Sequence, residues 1–544
     1  MNIVWLFIDS VRTYHSDDDR SRLDFMDEFA KDAVEFQNVV TSAPSTFMSL
    51  SAMMSGMPSY FVNRNFDDFR FDKQRIPSLT SDLEEHGYNV YSFLMHPSTR
   101  ETMINIFPMV PRRYWPKDLT HRNWWSNDDI NRLVDKTLDM GVEDKPSFFF
   151  VDFNCRHDFQ TSDKVKWANE KFKQAGFTDE NTITILCSDH GYPDSSKETG
   201  RPEYYADNKL THDLILTDDN IMIPFFIKYP GCQKGLKIET TVSSIDLYPT
   251  ILDLLGIAPR ANIIGQSLKP LMDSSAKDDN QGHRFHRTDS RLALQTGRGT
   301  SIRNFHYKYV FYHDNLRGGG QEEFFDIKAD PLETNNLIDS DLITDELSMF
   351  KDEFKKSEGY FVNYQLEYLI DVFKREHSDI SQLNNLVVIE SANPFFTKIL
   401  VNVLRSLSPS AVIKVFSVGS HENISKKFGG EADQGTENVV YEDVTKETLP
   451  RLLRNSKIDL TIAPLDSSQS NGRLIRAVKK INSGDKLFVD YNLGGYKQPF
   501  FSSQIKLTKA AWPFIKQEPS YILYFLYKSL RSLASGLVKK YAKR

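Results

Sequence analysis

The chain is poor in cysteine, in long apolar runs and in surplus charge of either sign. Three cysteines (Cys155, Cys187 and Cys232) in 544 residues are too few for a disulfide framework and lack the paired spacing of a zinc site. Cytosolic thiols are the simplest expectation. No apolar stretch approaches the ~20 residues that span a bilayer, the best being the heptad YILYFLY at 521–527. With 67 Lys+Arg against 74 Asp+Glu, the net charge of −7 excludes a protein basic throughout for nucleic acid. A 40% hydrophobic and 26% charged composition excludes a disordered or collagen-like chain. No secretory leader is expected either. The apolar NIVWLFI at 2–8 runs straight into Asp9-Ser10-Val11-Arg12, with no basic n-region before it and no small residues after it. It reads as a buried first strand ending in a carboxylate, in a cytoplasmic protein.

What is there is a long alternation of strands and helices. Length alone suggests roughly three to four domains, and two unequal α/β domains fit as well. Near-continuous apolar runs at 2–9, 88–95, 147–153, 182–187 and 223–229 are separated by amphipathic segments such as 79–86 and 129–140. That pattern predicts a mostly parallel sheet covered by helices on both faces. In such sheets the chemistry gathers beyond the C-terminal ends of the strands. Residues 267–321 are polar and turn-rich, and 322–338 reads as a strand entering a turn. A charged helix at 341–374 leads to a second run of strands at 386–390, 411–417, 438–442, 458–464 and 486–491. No G-x-G-x-x-G fingerprint occurs there, so a dinucleotide site is not supported. The expected organisation is a catalytic domain at 1–375, a smaller Rossmann-like α/β domain at 376–518, and a basic amphipathic helix at 519–544. The last carries six Lys/Arg and no acid, a composition suited to peripheral contact with the inner face of a membrane.

Asp9 after the first strand, Thr46, the pair Asp189-His190, and a scatter of His157, Lys209 and His212 form the candidate site. Two carboxylates, an imidazole and a hydroxyl can hold one divalent ion and present the hydroxyl oxygen as nucleophile. The ion would lower the hydroxyl pKa and neutralise charge on the transferred group. Each element alone has a structural reading: a helix cap for Asp9, a buried hydroxyl for Thr46, capping or surface histidines for His157 and His212.

The local wording resembles the sulfatase branch of the alkaline-phosphatase superfamily along most of 1–340. Asn2-Ile3-Val4 through Asp9-Ser10-Val11-Arg12 is similar to the family's N-I-V-x-I-x-x-D-[DST]-x-R start. APSTFMSL at 43–50 with Ser55-Gly56 resembles the nucleophile segment, and ITILCSDHG at 183–191 the strand ending in S-D-H-G. IPFFIKYPG at 223–231, SIDLYPTILDLLG at 244–256, Ser301–Tyr309 and 323–336 resemble the remaining family motifs in order. The resemblance implies an alkaline-phosphatase-like fold, with Asp9, Thr46, Asp189 and His190 as metal ligands and Thr46 as nucleophile. It also implies contact between His157 and the anionic group, and leaving-group protonation by His212, with Lys209 beside the substrate. A histidine suits acid catalysis near neutral pH.

The departures from the family shape the expected chemistry. Thr46 stands where sulfatases carry the cysteine that becomes formylglycine, so no aldehyde can form. Leu50 replaces the arginine of the C-x-P-S-R signature, and YNVYSFLMHP at 88–97 lacks the G-K-W-H-L-G motif. A threonine ester cannot expel sulfate from a hemiacetal, so water or another acceptor must attack the sulfur or phosphorus directly. That route is well precedented for phosphoryl groups. His190, where calcium-dependent sulfatases have asparagine, favours manganese or zinc over calcium. Asp152 and His157 lie five positions apart, one more than the two-metal motif requires, so one ion is expected. The expected activity is metal-dependent hydrolysis of an anionic ester, phosphodiester before sulfate, on a glycan or lipid-linked glycan. The alternatives are a phosphoglycerol or phosphoethanolamine transferase and a catalytically dead scaffold.

Overall fold

The structure is a computed structural model. It describes residues 1–13, 24–59, 77–93, 112–114, 145–154, 161–192, 212, 215–259, 263–273, 284–292, 296–312, 321–376, 379–390, 394–418, 439–444, 449, 453, 457–465, 478, 481, 485–490 and 495–496. His157, Lys209, the expected helix at 129–140 and the basic segment 519–544 lie outside these. No helix among the described residues is long and apolar enough to cross a membrane.

The described parts of the chain divide into two compact units, 1–361 and 362–544. The first is built on a nine-stranded sheet. Its strands are β1 (Asn2–Asp9), β2 (Val34–Val40), β3 (Asn89–Phe93), β4 (Arg112–Tyr114), β5 (Ser147–Asn154), β6 (Thr182–Ser188), β7 (Met222–Lys228), β8 (Lys237–Ile238) and β9 (Val242–Ser243). Their order is β4-β3-β5-β1-β6-β7-β2-β8, with β9 also on β2. Six of the eight pairings are parallel; β7 runs against both β6 and β2.

Burial on both faces explains the unbroken apolar strands. Along β1, Ile3, Trp5 and Phe7 enter one core while Val4, Leu6 and Ile8 enter the other, as the two-residue period of a strand requires. The helices Thr46–Ser55, Leu79–Glu85 and Leu247–Leu254 cover the first face through Leu50, Met53, Leu83 and Ile251. Asp24–Ala30 and Thr161–Gln174 cover the second through Phe25, Phe29, Val165 and Phe172. The α/β sandwich expected from the sequence is therefore present.

The polar stretch 267–321 is not merely turns. It contains β10 (His286–Leu292), β11 (Thr296–Arg303) and β12 (Tyr307–Tyr312), which join β13 (Gln321–Asp326) in a four-stranded antiparallel sheet. One face packs Ile302, Tyr309 and Phe324 with Phe350 of the helix Thr344–Glu376. Thr288, Asp289, Thr300, Arg303 and Lys308 are also buried, but they are polar. Hydrogen-bonded polar side chains inside a strand defeat a hydropathy pattern, and that is why the strands do not stand out in the sequence. β2 escapes for a second reason: a register shift between Phe36 and Val39 breaks its alternation.

The second unit holds β14 (Asn385–Glu390), β15 (Val412–Val418), β16 (Val439–Val444), β17 (Leu460–Leu465), β18 (Asp485–Asp490) and β19 (Gly495–Tyr496). They lie in the order β16-β15-β14-β17-β18-β19, parallel except for β19. This is the Rossmann-like order anticipated for a second, smaller α/β domain. Leu386 and Val388 pack under the helix Pro394–Leu407, and Val387 and Ile389 fill the opposite core.

Candidate active site

β1 and β6 are parallel neighbours, with Ile8 paired to Ser188, so Asp9 and Asp189 leave the sheet side by side. Ser10 then adopts a left-handed conformation (φ 61°), uncommon for a side chain with a Cβ. The turn aims its N–H at Asp189 Oδ1 (3.1 Å) and the Val11 N–H at Ser188 Oγ (2.9 Å). Ser188 Oγ in turn donates to the His190 carbonyl (2.8 Å). These bonds tie the two strand ends into one rigid rim.

Thr46 reaches the rim from a helix. It is the first residue of Thr46–Ser55, after an extended Ser45 (φ −149°, ψ 142°). Ser49 of the same helix and Thr41 both donate to the Asp189 carbonyl (2.8 and 2.6 Å). Thr288 Oγ1 donates to the Thr41 carbonyl (2.6 Å) and the Asp289 N–H to the Ser42 carbonyl (3.1 Å). The antiparallel sheet thereby clamps the segment that carries Thr46. Leu50 is buried in the apolar core beneath the helix, so the position that holds arginine in the C-x-P-S-R signature presents no charge.

The central contacts are short. Thr46 Oγ1 donates to Asp9 Oδ1 (3.0 Å) and lies 3.2 Å from His190 Nε2. His190 Nε2 is 3.3 Å from Asp189 Oδ2 and 3.9 Å from Asp9 Oδ1. His190 Nδ1 lies 2.6 Å from the Gly191 carbonyl. A carbonyl only accepts, so Nδ1 carries the proton and Nε2 turns its lone pair inward, the arrangement of a metal-ligating histidine. Asp189 is fully buried, and its Oδ2 has no hydrogen-bond partner. Burial, and then the charge of Asp9, push the Asp189 carboxyl well above its ordinary pKa.

An orphaned buried carboxylate oxygen, a second carboxylate and an inward imidazole lone pair fit a divalent cation. Asp9, Asp189 and His190 offer ligand atoms within 4.8 Å of one another, one such group among the described residues. Asp152, considered for a second ion, is buried in β5 beside Phe7 and is not part of it. The His212 ring stacks on His190 with centroids 4.9 Å apart and planes 21° apart, and Tyr192 lies 5.7 Å beyond. Five of the seven residues singled out in the sequence (Asp9, Thr46, Asp189, His190, His212) therefore occupy one locus. His157 and Lys209 lie outside the described residues.

A second polar cluster went unrecognised in the sequence. Asp218 is buried with Arg303 (3.0 Å) and Lys308 (2.9 Å), and Lys308 also pairs with Glu333 (2.6 Å). Burial works to raise the Asp218 carboxyl, and the two cations outweigh it and hold it well below the usual range. Glu333 is held at φ 54° while its carboxylate accepts the Asp218 N–H (2.6 Å). The stretches Ser301–Tyr309 and 323–336, which resemble family motifs, supply Arg303, Lys308 and Glu333, and in this chain they clamp Asp218. Asp218 itself, in the Asp-Asp-Asn before β7, had only its place before an apolar strand as a signal.

Residues 1–179 match the sulfatase family model, and 209–359 match that of the N-sulphoglucosamine sulphohydrolase C-terminal region. Over these two stretches the chain is similar to sulfatases. Mouse (Mus musculus) arylsulfatase K is 29% identical to this chain over 163 residues, 29% of this chain and 27% of that protein. The Delta 4,5-hexuronate-2-O-sulfatase of Bacteroides thetaiotaomicron is 31% identical over 160 residues, 29% of this chain and 30% of its own. The matches thus span under a third of either relative. A solved 2-O GAG sulfatase superposes with a TM-score of 0.52 at 19% identity, over 66% of this chain and 92% of its own. The alkaline-phosphatase-like fold follows from that likeness.

Proposed function

We propose that this chain hydrolyses an anionic ester carried on a glycan, with Thr46 as nucleophile and a phosphodiester favoured over a sulfate ester. The observation that carries the reading is Thr46 Oγ1, an unmodified hydroxyl set 3.0 Å from Asp9 and 3.2 Å from His190. The relative named for a hexuronate 2-O-sulfate supports a sugar-borne anionic ester. The threonine favours phosphorus, because without an aldehyde hydrate the enzyme ester must be broken by attack at the central atom.

In the first step the Thr46 hydroxyl gives its proton to Asp9 Oδ1, to which it already donates, Thr46 Oγ bonds to the phosphorus or sulfur, and the bond to the leaving alcohol breaks. The stacked His212 donates a proton to the departing oxygen. In the second step water attacks the same atom, its proton passes to His212, and Thr46 is released as the hydroxyl by recovering its proton from Asp9. Asp9, Asp189, His190 and Thr46 Oγ1 would hold a divalent ion, manganese or zinc before calcium by donor type. When bound, it supplies Lewis-acid neutralisation of charge on the transferred group and a lower hydroxyl pKa. The basic segment 519–544 is proposed to rest on an anionic membrane surface. Unchanged fractionation after its deletion would exclude that.

The test is a pair of initial rates, on an aryl sulfate and an aryl phosphodiester with manganese, for wild type and Thr46→Ala. Diester turnover lost in the variant, with sulfate untouched, is the expected result. Sulfate turnover that depends on Thr46 would reverse the preference.

A further inference from the structure

Four residues, Asp218–Ile221, form a single helical turn just before β7, and backbone segments bearing site residues converge on it. The Ile221 carbonyl accepts the Thr41 N–H (2.8 Å), ahead of Thr46. The Met222 carbonyl accepts the Thr13 N–H (3.2 Å), beyond Asp9. The Asn220 carbonyl accepts the N–H of Gly191 (2.8 Å), immediately after His190. A Cβ on Gly191 would lie 2.0 Å from the Asp219 carbonyl oxygen, so this approach needs glycine.

The side chain of Asn220 adds the link to His212. Asn220 is fully buried, and its Nδ2 donates to the carbonyls of both His212 and Ile215, each at 2.7 Å. Both partners are pure acceptors, so the amide nitrogen must face them and the orientation is unambiguous. Its Oδ1 is buried without a hydrogen bond, so the amide is held there by its donor half alone. The Ile215 N–H donates to the same His212 carbonyl (3.0 Å). His212 thus hangs from the turn by its backbone while its ring rests on His190.

We infer that Asn220 is a positioning residue: its amide N–H groups hold His212 in register with Thr46 and His190, and so set the efficiency of leaving-group protonation. This rests on His212 being the leaving-group acid. No catalytic contact is assigned to Asn220 itself.

Asn220→Asp keeps the shape and replaces the two donors by an oxygen facing two carbonyls. Asn220→Ser keeps one donor without charge and serves where the aspartate variant fails to fold. On aryl esters, turnover with a poor leaving group should fall roughly tenfold to a hundredfold, the range of a general acid. Turnover with a good leaving group should fall less than about threefold, since it needs no proton. In a His212→Ala background the Asn220 substitution should add less than about twofold, because contacts in one network are not additive. Equal losses for both leaving groups, or full additivity with His212→Ala, would overturn the inference. An activity-independent arm separates it from the functional reading: the rate at which diethyl pyrocarbonate modifies His212, followed by peptide mass. If wild type hydrolyses neither ester, the functional reading fails. Faster modification of His212 in the Asn220 variants still supports positioning, and an unchanged rate refutes it.

Discussion

Asp9 and Asp189 face each other because Ile8 and Ser188 are register partners on adjacent parallel strands. One residue further along each strand, the backbone turns away and the side chains remain at the rim. Two buried carboxylates so placed repel unless a proton or a cation sits between them.

That repulsion gives a pH prediction for the metal-free protein. The Asp189 carboxyl is raised in the folded state by burial and then by Asp9. Its protonated form stabilises the fold fully below the ordinary carboxylate pKa of about 4, and that contribution is lost as pH rises through the raised value. A divalent ion replaces the proton, so manganese should raise Tm more at pH 8 than at pH 5. Differential scanning fluorimetry with and without manganese reads this, and a shift independent of pH would refute it.

The threonine ester should be trappable. In His212→Ala, with an activated aryl diester whose leaving group needs no proton, the second step loses its base and the Thr46 adduct should accumulate. Intact mass and peptide mapping would locate the added group on Thr46. Steady turnover with no adduct would point to direct attack by water.

Removing Lys308 leaves Asp218 and Glu333 buried with one cation fewer. Lys308→Met should destabilise the chain by about 3–5 kcal/mol, the usual cost of breaking a buried pair, measured by urea unfolding. Asp218 works in the opposite pH sense to Asp189. Its carboxyl is held below the usual range, so its stabilisation is present above pH ~4 and is lost as the solution is acidified below it. In Asp218→Asn that acid-side loss should shrink.

Gly191→Ala puts a methyl group against the Asp219 carbonyl at 2.0 Å. The strand end or the turn must move, at a cost of about 1–3 kcal/mol. Because His190 is the preceding residue, ester turnover should fall more than the Tm shift alone explains. Retained turnover at a lowered Tm would show that the loop relaxes elsewhere.

By itself the sequence determined the layered α/β architecture and picked out the residues of the candidate site. Strands such as β1 and β6 are apolar on both faces, which only a sheet covered on both sides accommodates, and Asp9, Thr46 and Asp189-His190 stand in short motifs that mark the candidate site. Tertiary structure alone decided how those groups are held. The tautomer of His190 depends on the Gly191 carbonyl, and the stacking of His212 on a turn secured by Asn220. The antiparallel sheet at 286–326 is held partly by ion pairs between Asp218 and residues more than eighty positions away. Polar residues that satisfy one another at such separations leave no periodic trace in a sequence, because their burial is favourable only once the partners have met.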